Sequence, residues 1–315
     1  MLTAFAITEN RLSQVQIKGP QDLSADLVWI DLIDPSEEER CWVEERYHQQ
    51  LPTTEEMEEI EATARFYEDE DGLHIHSYFM HDYEERARNI TVAFTLNNDR
   101  LFTVHEEDLV TFRMYRMRAR REPGLARDAT SILLTLFETK VERLADVLEQ
   151  VYSDLEAVSQ SVLTREQQNS QETLEQLAIQ EDVNGKARLS LMDKQRVLSF
   201  LLRSGRLSGD QSQVLREILR DIDSLMTHTS FLFEKVNFLM DAVLGFINIE
   251  QNQIIKIFSI AAVVFLPPTL IASIYGMNFD LIPELDWSFG YPWALGLMVL
   301  SAYMPYWYFK RKGWL

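Results

Sequence analysis

The sequence predicts a mixed α+β/α membrane protein: an N-terminal cytosolic α/β domain, a long helical stalk and two C-terminal transmembrane helices. Three observations carry this. Residues 254–275 and 291–309 form two apolar runs of about 20 residues, the length that crosses a hydrocarbon core of about 30 Å. Residues 1–110 alternate short runs of β-branched and aromatic residues with helical patterns. Between them, from Phe137 onward, apolar residues recur at alternating steps of four and three, the period of packed helices.

In chain order, strands are predicted at 4–7, 13–17, 27–33, 63–67, 73–80, 89–96 and 101–104, bounded by turn signals at Gly19-Pro20, Asp71-Gly72 and Asn97-Asn98-Asp99. One helix should open at Asp34-Pro35-Ser36, with glutamates in its first turn. Another should open at Thr53, where Glu56 three residues on completes a capping box. The acidic excess lies here: residues 1–110 hold 26 Asp and Glu against 8 Lys and Arg, of a chain net charge of −20. Such a surface repels nucleic acid and anionic lipid and attracts cations. The glutamate run at 54–61 reads as a solvated helix face. His74, His76 and His81 read as ordinary strand or surface histidines, because spacing fixes no third metal ligand. The arginines 113, 116, 118, 120, 121 and 127 read as the outer face of a helix pairing with the acidic domain.

Residues 125–205 are predicted as an antiparallel helical hairpin that follows the 1–124 domain. Its first helix carries a heptad seam of Phe137, Val141, Leu144, Leu148, Val151, Leu155, Val158 and Val162. The second runs from about 171 to 203, and the polar stretch 164–170 joins them. A third helix, from about 210 to 275, meets no breaker except Gly245 and Pro267-Pro268; continuous, it would be roughly 100 Å long at about 1.5 Å per residue. Its residues 206–253 form the cytosolic stalk and 254–275 the first span. Ile218, Ile222, Leu225, Leu232, Val236, Leu239 and Val243 would pack it on the hairpin.

The same helix has a second stripe at steps of three and four: Asp241, Gly245, Asn248, Asn252, Ile255, Ser259, Ala262, Leu266, Thr269 and Ser273. Polar groups at membrane depth are costly unless they face a bundle interior or water. One helix supplies no such interior, so several copies are expected around an axis with this stripe inward. Ile255, Phe258 and Leu266 are the candidate hydrophobic gate, closing by exclusion of water. At the outer loop, 276–290, Gly276, Met277 and Asn278 stand where the first span ends, and Asp280, Glu284 and Asp286 follow. Amide and carboxylate oxygens suit a hard, strongly hydrated cation such as Mg²⁺; the loop has no thiol or imidazole for a soft metal. Lys310-Arg311-Lys312 opens the basic tail, 310–315, and the loop has no Lys or Arg, so both termini are expected in the cytoplasm. Trp287, Tyr291, Trp293, Tyr306, Trp307 and Tyr308 supply interfacial anchors. Cys41 alone excludes a disulfide framework or a cysteine zinc site. The N-terminus shows no signal-peptide pattern, so the C-terminal spans are expected to direct insertion. No phosphate-binding glycine loop and no nucleophile–base constellation is present, which argues against an enzyme and against any organic cofactor.

Tyr275-Gly276-Met277-Asn278-Phe279, then Pro283-Glu284-Leu285, then Trp287-Ser288-Phe289-Gly290-Tyr291-Pro292, resemble the signature of the CorA family of divalent-cation channels. The similarity extends upstream through Phe246-Ile247-Asn248-Ile249-Glu250-Gln251-Asn252 and Phe265-Leu266-Pro267-Pro268-Thr269, and downstream to the basic tail. The resemblance implies a funnel-shaped homo-oligomer, a pentamer, in a bacterial inner membrane, carrying Mg²⁺ and also Co²⁺ and Ni²⁺ inward. It implies a selectivity filter at Gly276, Met277 and Asn278. It also implies closure by cytosolic Mg²⁺ bound between neighbouring acidic domains, with Glu217 at the family's acidic position on the long helix and Asp241 at the inner pore entrance. Two other readings stand beside it: a Zn²⁺ transporter of the related ZntB type, against which Met277 argues, and a non-conducting membrane-anchored scaffold or sensor.

Overall fold

The computed structural model describes residues 1–58, 65–81, 87–97, 99–164, 170–278, 283 and 287–313. It divides into two units, Met1–Met240 and Asp241–Leu315. The first contains a seven-stranded sheet of β1 (Leu2–Thr8), β2 (Arg11–Val15), β3 (Leu27–Ile33), β4 (Phe66–Asp69), β5 (Gly72–His81), β6 (Arg88–Asn97) and β7 (Arg100–His105). The spatial order is β2-β1-β3-β7-β6-β5-β4. Only β3 and β7 run parallel; every other neighbouring pair is antiparallel.

Helices cover both faces of the sheet, because side chains alternate along each strand. Ile30 and Leu32 of β3, with Phe102 and Val104 of β7, bury one face against Val43 of α1 (Glu37–Tyr47) and Met57 of α2 (Thr54–Glu58). Trp29 points to the opposite face, where it stacks on Phe5 at 4.5 Å and meets Phe112 and Tyr115 of α3 (Val110–Arg121). Phe79, Phe94 and Phe112 continue that layer to Phe137 of α4 (Ala129–Thr164), with centroids 5.3 to 6.3 Å apart. The helix starts follow the sequence signals. Ser36 caps α1, accepting from the Glu39 N–H while the Glu39 carboxylate accepts from the Ser36 N–H. Thr53 and Glu56 exchange the same pair of bonds at α2.

All seven predicted strands are present, with two displaced. The strand expected at 13–17 begins at Arg11, because Glu9 and Asn10 both adopt positive φ and close a two-residue β1–β2 hairpin. The strand expected at 63–67 is β4, 66–69; its hairpin register pairs Asp69 with Gly72, whose φ of +135° suits glycine. Residues 63 and 64 of that prediction, and Asn98 of the predicted turn, lie outside the described residues.

The three long helices follow the predicted spans: α4, α5 (Ser170–Arg203) and α6 (Gly209–Tyr275). Residues 165–169 of the expected hairpin junction lie outside the described residues. The heptad seam is buried from Phe137 to Val158, and Val162 is half-buried. On α6, Ile218, Ile222, Leu232, Val236 and Leu239 are buried and Leu225 is half-buried. Polar contacts fix the helices in register: Asn184 donates to the Thr229 carbonyl at 3.0 Å, and Lys235 pairs with Glu156 at 2.7 Å. α6 runs unbroken through Pro267 and Pro268.

The arginine-rich stretch from Arg113 to Arg121 is α3, with Arg127 beyond its end, and it is less peripheral than the sequence suggested. Arg116 reaches the fully buried Asp31 at 2.9 Å and Asp108 at 2.9 Å, while Arg113 also pairs with Asp108. Asp31 further accepts from the Thr103 hydroxyl at 2.6 Å and from His105 Nε2 at 2.9 Å, and Thr103 in turn accepts from the Trp29 indole. Arg118 pairs with Glu142 of α4, and Arg120 donates to Gln14. The basic helix therefore ties itself to the acidic domain partly through the interior.

Candidate functional site

The second unit holds the C-terminal part of α6 and a further helix, α7 (Gly290–Arg311). Among the described residues one helix, Gly209–Tyr275, is long and apolar enough to cross a membrane, and none of its apolar window is buried within the chain. The run in α7 is rich in Tyr, Trp and Pro, which weaken its apolar signal and suit a membrane interface.

From residue 260 onward exposure divides α6 into two sides, whereas residues 248–259 are exposed all round. Residues 260, 261, 264, 267, 268, 271 and 275 are partly covered; on α7, Gly290 and Ala294 are buried and 297, 298, 301, 302, 305 and 309 partly covered. At about 100° per residue, the covered side of α6 lies about 180° around the helix from the stripe predicted on sequence spacing. Asp241, Asn248, Asn252, Ile255, Ser259, Ala262, Leu266, Thr269 and Ser273 are all exposed. The candidate gate residues Ile255, Phe258 and Leu266 are 61%, 71% and 66% exposed. This face is therefore brought together by the helix and left open by its own chain.

Pro267 and Pro268 fall on the covered side. Lacking N–H groups, they free the carbonyls of residues 263 and 264 from the helical pattern, away from the stripe rather than along it. The Thr269 hydroxyl donates back to the Phe265 carbonyl at 2.8 Å, so part of the stripe's polarity is spent within the helix.

The helix closes at its C-terminus with Gly276 N–H donating to the Ala272 carbonyl at 2.9 Å and Met277 N–H to that of Ile274 at 3.3 Å. Gly276 does not adopt positive φ, and among the described residues an added methyl would meet the Ala272 carbonyl at 3.1 Å and that of Ser273 at 3.7 Å. The turn therefore does not require glycine for its backbone conformation. Met277 and Asn278 are exposed immediately beyond. Asp280, Glu284 and Asp286 lie outside the described residues. Trp287, Tyr291, Trp293, Tyr306, Trp307 and Tyr308 are exposed at the two ends of α7, with Arg311 over the Trp307 ring.

Glu217 lies near the start of α6 in the first unit, half exposed, within 3.7 Å of Arg220 and accepting from Gln213 at 3.3 Å. Glu138, Glu142 and Asp221 line a cleft of about 280 Å³ between α4 and α6. Burial pushes the Glu138 carboxyl above its ordinary value, and Glu142, Asp221 and Glu217 add to the rise against Arg118. Sequence reasoning singled out Glu217 and missed the others, which look like solvated helix residues until α4 and α6 are packed. His74, His76 and His81 are strand residues of β5, all buried. His74 bonds Asp69 and Thr95. Among the described residues no group of three or more His, Cys, Asp and Glu is arranged to hold a metal ion.

Comparison with known proteins identifies the family of the chain. A sequence model of the CorA-like Mg2+ transporter protein family matches residues 24–311. The magnesium transport protein CorA of Salmonella typhimurium is 55% identical over 317 residues, covering 100% of both chains. That of Escherichia coli K12 is likewise 55% identical over 100% of both. Among solved structures, the complete CorA magnesium transporter from Methanocaldococcus jannaschii superposes with a TM-score of 0.78 at 20% identity, covering 100% of this chain and 99% of that one. By the family match over nine-tenths of its length and by its full-length relatives, this chain belongs to the CorA-like Mg²⁺ transporter family.

Proposed function

We propose that this chain is one subunit of a homo-oligomeric magnesium channel that carries Mg²⁺ inward through a pore lined by α6. The observation that carries the reading is the open face of that helix. Nine stripe residues stand exposed, and within the span Ser259, Thr269 and Ser273 are polar groups that lipid solvates poorly. Copies arranged about an axis supply what the single chain leaves open. In the funnel-shaped assembly, read here as a pentamer, 254–275 and 291–309 both cross the inner membrane and both termini stay in the cytoplasm.

Gly276, Met277 and Asn278 then ring the outer mouth. Asn278 side-chain oxygens accept from the water protons of a hydrated Mg²⁺, so the ion enters without losing its shell, whose removal costs heavily. Asp280, Glu284 and Asp286 raise the local concentration of divalent cations. Co²⁺ and Ni²⁺, hexahydrated ions of similar size, are expected to follow. Ile255, Phe258 and Leu266 form the constriction that closes by excluding water. An inside-negative potential drives entry with about 4.6 kcal/mol per 100 mV for a divalent ion. Cytosolic Mg²⁺ acts as the regulatory ligand, with Glu217 among its carboxylates and Asp241 at the inner entrance.

The test is Mg²⁺ influx into proteoliposomes at inside-negative potential, comparing the wild type with Asn278→Ala at matched assembly. Influx that collapses in the variant supports the filter. Equal flux would move selectivity to the stripe, and no flux in either, at low and high internal Mg²⁺, would sink the channel reading.

A further inference from the structure

Among the described residues, the outer edge of β5 beyond Ile75 is met by side chains. β4 pairs with β5 only as far as Ile75. Beyond it, residues 76, 78 and 80 turn backbone groups outward, and an uncovered edge of this kind is open to wrong pairing. Each of the three carbonyls is taken by a cationic side chain: Arg65 donates to His76 at 3.2 Å, Lys194 of α5 to Tyr78, and Lys140 of α4 to Met80 at 2.6 Å. The Tyr78 N–H donates to Asp193 of α5 at 2.8 Å. The helical hairpin is thus bolted to the sheet through polar bonds along one strand.

Lys194 is the unusual member. It is fully buried, with its ammonium also 3.0 Å from Ser190 Oγ and 4.5 Å from the Phe79 ring centroid. The neighbouring carboxylate, Asp193, commits its oxygens to Arg65 at 3.1 Å, to Ser77 at 2.6 Å and to the Tyr78 N–H. Among the described residues no carboxylate pairs with Lys194. Burial therefore disfavours its charged form; Asp193 partly restores it, Arg65 opposes it again, and the amine is held down to about 7. Of the other groups facing this joint, Arg65 and Lys140 are also buried basic side chains, bonded to the His76 and Met80 carbonyls. His76, on the same strand, is pushed by burial to about 4 and titrates in a separate range.

We propose that Lys194 makes the joint between α5 and β5 a proton-linked latch, which tightens as the amine loses its proton and loosens as it gains one. The neutral amine keeps its bonds to Tyr78 and Ser190 without the penalty of a buried charge. Opening the joint returns Lys194 to water, where it binds a proton up to its ordinary alkaline value, so a falling pH favours opening. In a membrane transporter whose cytosolic unit carries α5, such a latch would make the helical layer's docking respond to cytoplasmic pH.

Hydrogen–deuterium exchange on the full-length protein in nanodiscs tests this, read in peptides covering 76–81 and 187–200 and corrected for the intrinsic pH dependence of exchange. Linkage predicts that the opening equilibrium falls by about 50-fold between pH 7 and pH 9, and flattens below about 7. In Lys194→Met the same peptides should lose that dependence. A wild-type profile that is flat across pH 7 to 9 overturns the proposal whether or not the variant folds. So does a Lys194→Met profile with the wild-type slope, which would assign the proton to another group.

Discussion

Asp31→Asn should loosen the centre of the sheet. The Asp31 carboxylate is fully buried and accepts from Thr103, His105 and Arg116, at 2.6, 2.9 and 2.9 Å. Asparagine keeps the shape but offers one acceptor oxygen and turns an amide toward at least one group that also donates. Removing one partner of a buried ion pair costs about 3–5 kcal/mol. Arg116 keeps Asp108 at 2.9 Å, and its side chain is 16% exposed, which limits the loss to the lower end. The expected cost is about 3 kcal/mol, equivalent to roughly a hundredfold in an opening equilibrium. Hydrogen exchange of the amides of 29–33 and 101–105 reads it directly. A change of less than threefold would refute the reasoning, because the pair would then be contributing no more than an exposed one. Arg116→Met added to Asp31→Asn should restore part of the loss, since it removes the cation left without its buried partner.

Acid should weaken the same unit through His76, whose depressed value means that the unfolded chain binds the proton first. Stability is retained above about 6.5 and falls by about 1.4 kcal/mol per pH unit toward about 4, and in His76→Gln the drop should be absent from acid-unfolding curves. Gly276→Ala should shift the end of α6 slightly, since the added methyl lies 3.1 Å from the Ala272 carbonyl, and at matched assembly should lower Mg²⁺ flux at least tenfold if neighbouring copies crowd that position at the mouth; unchanged flux would deny the crowding. Asn252→Leu should cut flux far more than Thr269→Val, because the Thr269 hydroxyl already bonds the Phe265 carbonyl; equal losses would show that both groups meet the ion's water.

Much of the fold was legible because local signals agreed with the tertiary result. β3 falls at 27–33 as predicted, and the step-four, step-three seam of α4 is buried almost throughout. β2 was misplaced because Glu9-Asn10 is a hairpin turn without glycine, in which Asn10 alone is of a type that favours positive φ. The side-chain closure of β5 was missed for a different reason. Lys140 and Lys194 look like solvated charges on amphipathic helices, and only docking on the sheet shows their targets. A clue was present all the same: Lys194 continues the seam of Ala187, Leu191, Leu198 and Leu201, where an apolar residue would be expected.

The candidate pore rests on the sequence and on exposure together. Spacing alone set the stripe from Asp241 to Ser273 on one face, and the covered side of α6 proves to be the opposite one, carrying Pro267 and Pro268. The filter assignment came from resemblance, since three residues at a helix end carry little information by themselves. The polar groups on the stripe are not equivalent. A hydroxyl can satisfy itself on the carbonyl one turn back, as Thr269 does, and so can sit in lipid at modest cost. An amide has two donors and two acceptor sites and no such intrahelical outlet. Asn248 and Asn252 lie in the stalk just before the span that begins at 254, and Asn278 lies just beyond its other end, so amide groups flank the span on both sides. Between them stand Ile255, Phe258 and Leu266, so hydrated ions would meet amide, then apolar, then amide surfaces along the path, with the apolar segment the natural place for closure.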